Sequence, residues 1–167
     1  MPRRAGPARG TCAVVFFLLG APLAGSAGAA TVNITKLQNV TFTNLDPTVN
    51  ATRSQNVCVF SSTRHGGYRV TGRGSGAGSA FTLSAGGALS PLPYEVQWSS
   101  SAGASSGTTL SPGVGLTGQT SGATSQTCAL GPTATASLIV VLHASDLQGA
   151  ASGLPYSGTL SLTIAPE

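Results

Sequence analysis

The last part of the chain constrains the fold more than any other. From Ser137 to Glu167 it reads SLIVVLHASDLQGAASGLPYSGTLSLTIAPE. Leu160, Leu162 and Ile164 alternate with Thr159, Ser161 and Thr163. This period-2 pattern predicts a strand with one buried face. Upstream, Leu138 to Leu142 is an uninterrupted apolar run with three branched residues. Such a run suits a strand covered on both faces. Gly149, Gly153 and Pro155 mark a loop between the two. The chain therefore closes on two strands, and the second raises the question of what covers its far edge.

Residues 1–30 read as a secretory signal rather than as fold. Arg3, Arg4 and Arg9 form a basic start, Cys12 to Leu23 an apolar middle, and Gly25 to Ala30 a run of small residues suited to signal peptidase. The apolar run is too short for a membrane span. No second run of spanning length follows, so the expectation for the mature chain is an exported protein with no membrane span. Residues 31–167 are expected to make one domain.

Loss of the signal also reduces the basicity. The full chain has eight Lys and Arg against four Asp and Glu. The remainder keeps Lys36, Arg53, Arg64, Arg69 and Arg73 against Asp46, Glu95, Asp146 and Glu167, so five minus four gives +1. No nucleic-acid footprint is expected from that balance. Arg64, Arg69 and Arg73 cluster in sequence, and a solvated strand face accounts for them more simply than an anionic surface contact. Cys12 leaves with the signal, and Cys58 and Cys128 stay as an even pair. In an oxidising compartment a disulfide between them is the expected state. A metal site using His65 and His143 lacks ligand spacing, and no cofactor is expected.

Between these landmarks the chain is rich in Gly, Ser and Thr, with short β-branched or aromatic runs punctuated by turn residues. That composition predicts an all-β sandwich or barrel. Thr31 to Phe42 reads as one or two strands. Asn56 to Ser61 reads as a strand whose Cys58 and Phe60 face looks the better core candidate. His65-Gly66-Gly67 reads as the turn of a hairpin into Tyr68–Thr71. Leu92 to Trp98 is a further strand, with Tyr94, Val96 and Trp98 on one face. Ser99 to Gln126 is so rich in Gly and Ser that local disorder is the competing expectation. The glycines at 72, 74, 76 and 78 do not form a phosphate loop, because Ala77 falls where the motif needs its third glycine. No G-x-S-x-G elbow is present and acidic residues are scarce, so no enzyme activity is expected.

Several strings carry a family resemblance. Cys58-Val59-Phe60-Ser61, Gly67-Tyr68-Arg69-Val70-Thr71-Gly72-Arg73-Gly74, Leu92-Pro93-Tyr94-Glu95-Val96-Gln97-Trp98 and the ending Leu154-Pro155-Tyr156-Ser157-Gly158-Thr159-Leu160-Ser161-Leu162-Thr163-Ile164 resemble the spore coat protein U domain family. The likeness runs over residues 56 to 166. That family is best known as secreted subunits of archaic chaperone–usher pili in Gram-negative bacteria. The resemblance implies an immunoglobulin-like β-sandwich lacking its last strand and completed by strand addition. It implies a periplasmic chaperone, an outer-membrane usher and other pilus subunits as partners. It also implies export to the periplasm and on to a surface fibre.

On this reading Leu160, Leu162 and Ile164 form the acceptor edge, since an exposed apolar edge invites another strand. Val32 and Ile34 are candidates for the donor strand. The same two residues also suit an intramolecular first strand, and both readings stay open in the sequence. A structural fibre subunit is the first expectation. A self-complemented binding module or tip adhesin, using Trp98, Tyr68 and the arginines, is the alternative.

Overall fold

A computed structural model describes residues 29–167. The signal reading over residues 1–30 lies outside them, except for its last two positions.

The described residues form an almost purely β structure. One sheet runs β1 (Val32–Thr35), β2 (Ala51–Ser61), β9 (Ala136–Leu142), β6 (Glu95–Ser99) and β7 (Thr108–Thr109) in spatial order. The other runs β10 (Leu160–Pro166), β3 (Gly67–Gly74) and β8 (Gly115–Thr120). A short ribbon of β4 (Thr82–Leu83) and β5 (Leu92–Pro93) stands beside them, and one helical turn, α1 (Ala144–Leu147), follows β9. Every named strand pairing is antiparallel.

This is the immunoglobulin arrangement. The order β1-β2-β9-β6 corresponds to strands A-B-E-D, and β3 with β10 corresponds to C with F. The position beyond β10, where strand G would lie, has no strand among the described residues.

The core explains why these segments are strands. β9 is buried at all seven positions, as its continuous apolar run requires. Val57 and Val59 of β2, Tyr68 and Val70 of β3, and Val96 and Trp98 of β6 meet β9's Leu138, Val140 and Leu142 in one cluster. Tyr68 and Trp98 touch edge to face, with ring centroids 6.4 Å apart. The Trp98 indole N–H donates to the Tyr68 hydroxyl at 3.2 Å. Burial raises the Tyr68 pKa above its ordinary value, and that hydrogen bond opposes the rise.

Three expectations are corrected. The core face of β2 is Val57 and Val59, because Cys58 points the other way to reach Cys128. The Cys58–Cys128 disulfide forms, with the two Cα atoms 5.9 Å apart. The segment from β2 to β3 is no hairpin: β2 pairs with β1 and β9, whereas β3 pairs with β10 and β8, so the chain crosses between sheets. Gly66 makes that crossing at φ +67°, where a Cβ would lie 2.2 Å from the Ser121 carbonyl oxygen. Finally, Ser99 to Gln126 is not featureless. It carries β7 and β8, both paired.

Candidate functional site: an open strand edge beside an apolar groove

β10 pairs along its whole length with β3, from Leu160 opposite Gly74 to Pro166 opposite Tyr68. Among the described residues its other edge bears no strand. Leu160, Leu162 and Ile164 share the inward face, half-buried against the core. Their alternation with exposed residues is the one read from the sequence.

Beside this edge lies a groove of about 1420 Å³. β9 contributes Leu138, Val140 and Leu142 to it, and β10 contributes Leu160 and Leu162, so it runs between the two sheets. Leu83, Leu92 and Tyr94 also line it. Ile164 does not; it lies further along the same face of β10. The two walls differ in exposure. The β9 residues are buried, whereas Leu160 and Leu162 are only half-buried. The open wall is the one on β10.

Most of the chain's own residues 37–47 also border the groove without forming a strand. Their path follows from β1. Val32 lies opposite Ser61 and Thr35 opposite Cys58, so paired residue numbers sum to 93. At Lys36 the backbone turns to φ +67°, and its Nζ donates to the Thr133 carbonyl. Beyond the turn the same register continues, since Gln38 faces Gln55 and their numbers also sum to 93.

The contact there is no longer main chain to main chain. The Gln55 side-chain oxygen accepts from the Gln38 N–H at 2.8 Å, and its Nε2 donates to the Gln38 carbonyl at 3.1 Å. One carboxamide thus stands in for a ladder partner and holds the peeled segment off the edge of β2. From there Val40 and Phe42 turn half-buried onto the core, while Leu37 and Leu45 stay exposed. Nothing in the sequence singled out Gln55. The register sum becomes visible only once β1 is paired.

Val32 and Ile34 do not enter the groove. They belong to β1, paired within the chain to β2, and Ile34 packs against the core. In the single chain they thus form an intramolecular strand. β1 also approaches β10, so it lies along the seam between the sheets.

Tyr68 and Trp98, candidates for ligand contact in an adhesin, are core residues engaged with each other. His143 Nε2 lies 2.9 Å from Glu95 Oε2 at the end of β9. The Glu95 carboxyl is held below its usual range, first by the Thr109 hydroxyl, then by the Gln97 amide, with His143 adding a smaller pull. Among the described residues no group of three or more His, Cys, Asp or Glu is placed to hold a metal ion, and no helix is long and apolar enough to cross a membrane.

No protein-family model and no curated protein sequence matches the chain. Among solved structures, it is similar to a chain from one described as "Chaperone-tip adhesin complex is vital for synergistic activation of CFA/I fimbriae biogenesis". The TM-score is 0.52 and the identity 13%, over 83% of this chain and 41% of that one. The chain therefore spans less than half the length of the structure it matches. At that identity the likeness is one of fold: an all-β fold found in a fimbrial chaperone–adhesin assembly.

Proposed function

We propose that this protein is a secreted subunit of a chaperone–usher type surface fibre, which accepts a strand from another polypeptide along β10. One observation carries the reading: the position of immunoglobulin strand G is vacant among the described residues, and an apolar groove lies beside it. An inserted strand would satisfy the free backbone edge of β10 and cover Leu160 and Leu162. The fold likeness to a chain of a fimbrial chaperone–adhesin complex and the resemblance to the spore coat protein U domain family support the same assignment. On this proposal the first occupant is a periplasmic chaperone's strand, and an outer-membrane usher exchanges it for a neighbouring subunit's. The role is structural rather than catalytic.

Residues 37–47 act in this scheme as an internal placeholder. They shield the β9 wall until a strand arrives on the β10 side. The alternative role, a terminal subunit or adhesin, draws support from β1. Held on the chain's own β2, it is not offered to a neighbour in this state.

The test is strand acceptance. Exported protein run without boiling on a denaturing gel is expected to ladder as multimers, or to co-purify with a strand-donating partner. Leu162→Arg is expected to abolish both, while Trp98 fluorescence and the disulfide report an intact monomer. Wild-type laddering or partner capture by a folded Leu162→Arg variant would overturn the assignment.

A further inference from the structure

We propose that the outer face of the β10–β3–β8 sheet binds an acidic glycan, a polysaccharide carrying carboxylate or sulfate groups. This face is turned away from the core and from the groove. It holds a concavity of about 430 Å³ lined by Arg69, Thr71, Arg73, Thr163, Gly115 and Thr117, with Gly113 at its rim.

The strand registers show how it is built. Thr163 lies opposite Thr71, and Thr71 opposite Gly115, so these three make a row across the sheet. Arg69 and Arg73 flank that row at i−2 and i+2 on β3, both exposed. Their backbones are about 13 Å apart along the strand. The register between β3 and β8 shifts between Tyr68 and Val70, which places two residues of β8, Thr117 and Gly118, against Arg69. Such bulges re-aim side chains. At the other end Gly113, at φ +75°, brings the backbone within ordinary contact of Arg73: a Cβ there would sit 3.7 Å from the guanidinium carbon.

The two arginines are not used by the fold. Neither lies within ion-pair distance of an acidic group; the one contact of that kind among the described residues joins His143 to Glu95. Arg73 makes a single long contact, 3.5 Å, to the Ser79 hydroxyl. The Glu167 carboxylate accepts the Gly118 N–H through its Oε2 at 2.7 Å and lies outside ion-pair distance of both arginines. Two guanidinium forks therefore face a cup with neutral hydroxyls on its floor. Guanidinium binds carboxylate and sulfate oxygens bidentately. Threonine hydroxyls and bare glycine backbone suit the hydroxyls of a sugar lying between two such anions.

Competing polyanions fit less well. The cup lacks an aromatic ring on which a base would stack.

The experiment uses the full chain against three immobilised polymers: heparin for sulfate, polygalacturonate for carboxylate, and dextran as the neutral control. Binding to heparin, polygalacturonate or both is expected, and the preference between them assigns the anion. Binding is expected to weaken between 0.05 and 0.5 M salt. The double variant Arg69→Ala/Arg73→Ala is expected to lose roughly ten-fold or more in affinity. Arg64→Ala, which removes one arginine charge from a loop outside the cup, is expected to leave binding nearly unchanged, and to lose far less than either Arg69→Ala or Arg73→Ala alone. Gly115→Val fills the floor without touching a charge. Its backbone is not in the left-handed region, and its new Cβ would meet only ordinary contacts at 3.4 and 3.6 Å. It too is expected to weaken binding. Failure to bind either polyanion, equal binding to dextran, or an equal loss from Arg64→Ala would overturn the proposal.

Discussion

Gln55→Ala isolates the segment that borders the groove. The substitution removes two hydrogen bonds to the Gln38 backbone, at 2.8 and 3.1 Å, and leaves the β2–β9 ladder intact because that ladder is main chain. Both bonds are solvent-exposed, so each contributes at the low end, roughly 0.5–1 kcal/mol, and the pair about 1–2 kcal/mol. At 1.4 kcal/mol per factor of ten, the open state of residues 37–47 becomes roughly 5 to 30 times more populated. If that segment competes with an incoming strand, the apparent affinity for the strand rises by the same factor while the open state is the minor one. The assay pairs two readouts on one protein. Hydrogen exchange reports opening at residues 38–42, and fluorescence anisotropy reports binding of a synthetic peptide of residues 30–42. Faster exchange with tighter peptide binding is the expected result. Faster exchange with unchanged binding would refute the placeholder role, and unchanged exchange would refute the latch itself.

Further predictions follow from the core and its margins. Tyr68→Phe removes the acceptor of the buried Trp98 N–H and should cost about 1–3 kcal/mol in chemical denaturation, with a shift in the fluorescence of the protein's single tryptophan. Replacing Cys58 and Cys128 by serine opens a link across 70 residues and should cost on the order of 4 kcal/mol in the chain-entropy picture, read from paired denaturation curves. The Glu95 carboxyl is depressed in the folded state, so its contribution is fully present above the ordinary value of 4.5 and is lost as pH falls through its lower folded value. Glu95→Gln should therefore flatten the acid limb of stability against pH below about 4.5, and an unaltered limb would count against the Thr109–Gln97–His143 cluster around it.

Much of the fold was legible because burial wrote a period into the sequence. The five-residue apolar run of β9, Leu138 to Leu142, and the alternation at β10 are direct records of two covered faces and of one. Tyr94, Val96 and Trp98 were readable for the same reason. The misreadings arose where local pattern could not encode a distant partner. On β2 both alternating sets are apolar, so only the position of Cys128 decides which faces inward. At Gly66 a turn glycine looks the same in a hairpin as in a crossover between sheets. β8 was hidden because exposed Gly, Thr and Gln carry no alternation, and its pairing comes from the backbone of β3. The groove was half legible: Leu160 and Leu162 announced one wall, while Gln55 and the bordering segment had no local signature.

The disulfide has a consequence for how fast this protein becomes itself. β2 and β9 form the centre of the larger sheet, yet Val57 and Ala136 are 79 residues apart in sequence. Closing so long a loop slows folding, because the entropy is lost before the contact forms. Through the Cys58–Cys128 bridge the path shrinks to one residue on one side and eight on the other, about nine in all. The closure cost falls by about 2 kcal/mol, from the ratio of 79 to nine. A chain oxidised before it folds would nucleate its central strand pair almost locally, and would leave Leu138 to Leu142 exposed for a correspondingly shorter time. Stopped-flow refolding of oxidised and reduced chains would show this as a folding rate roughly ten-fold or more higher for the oxidised form.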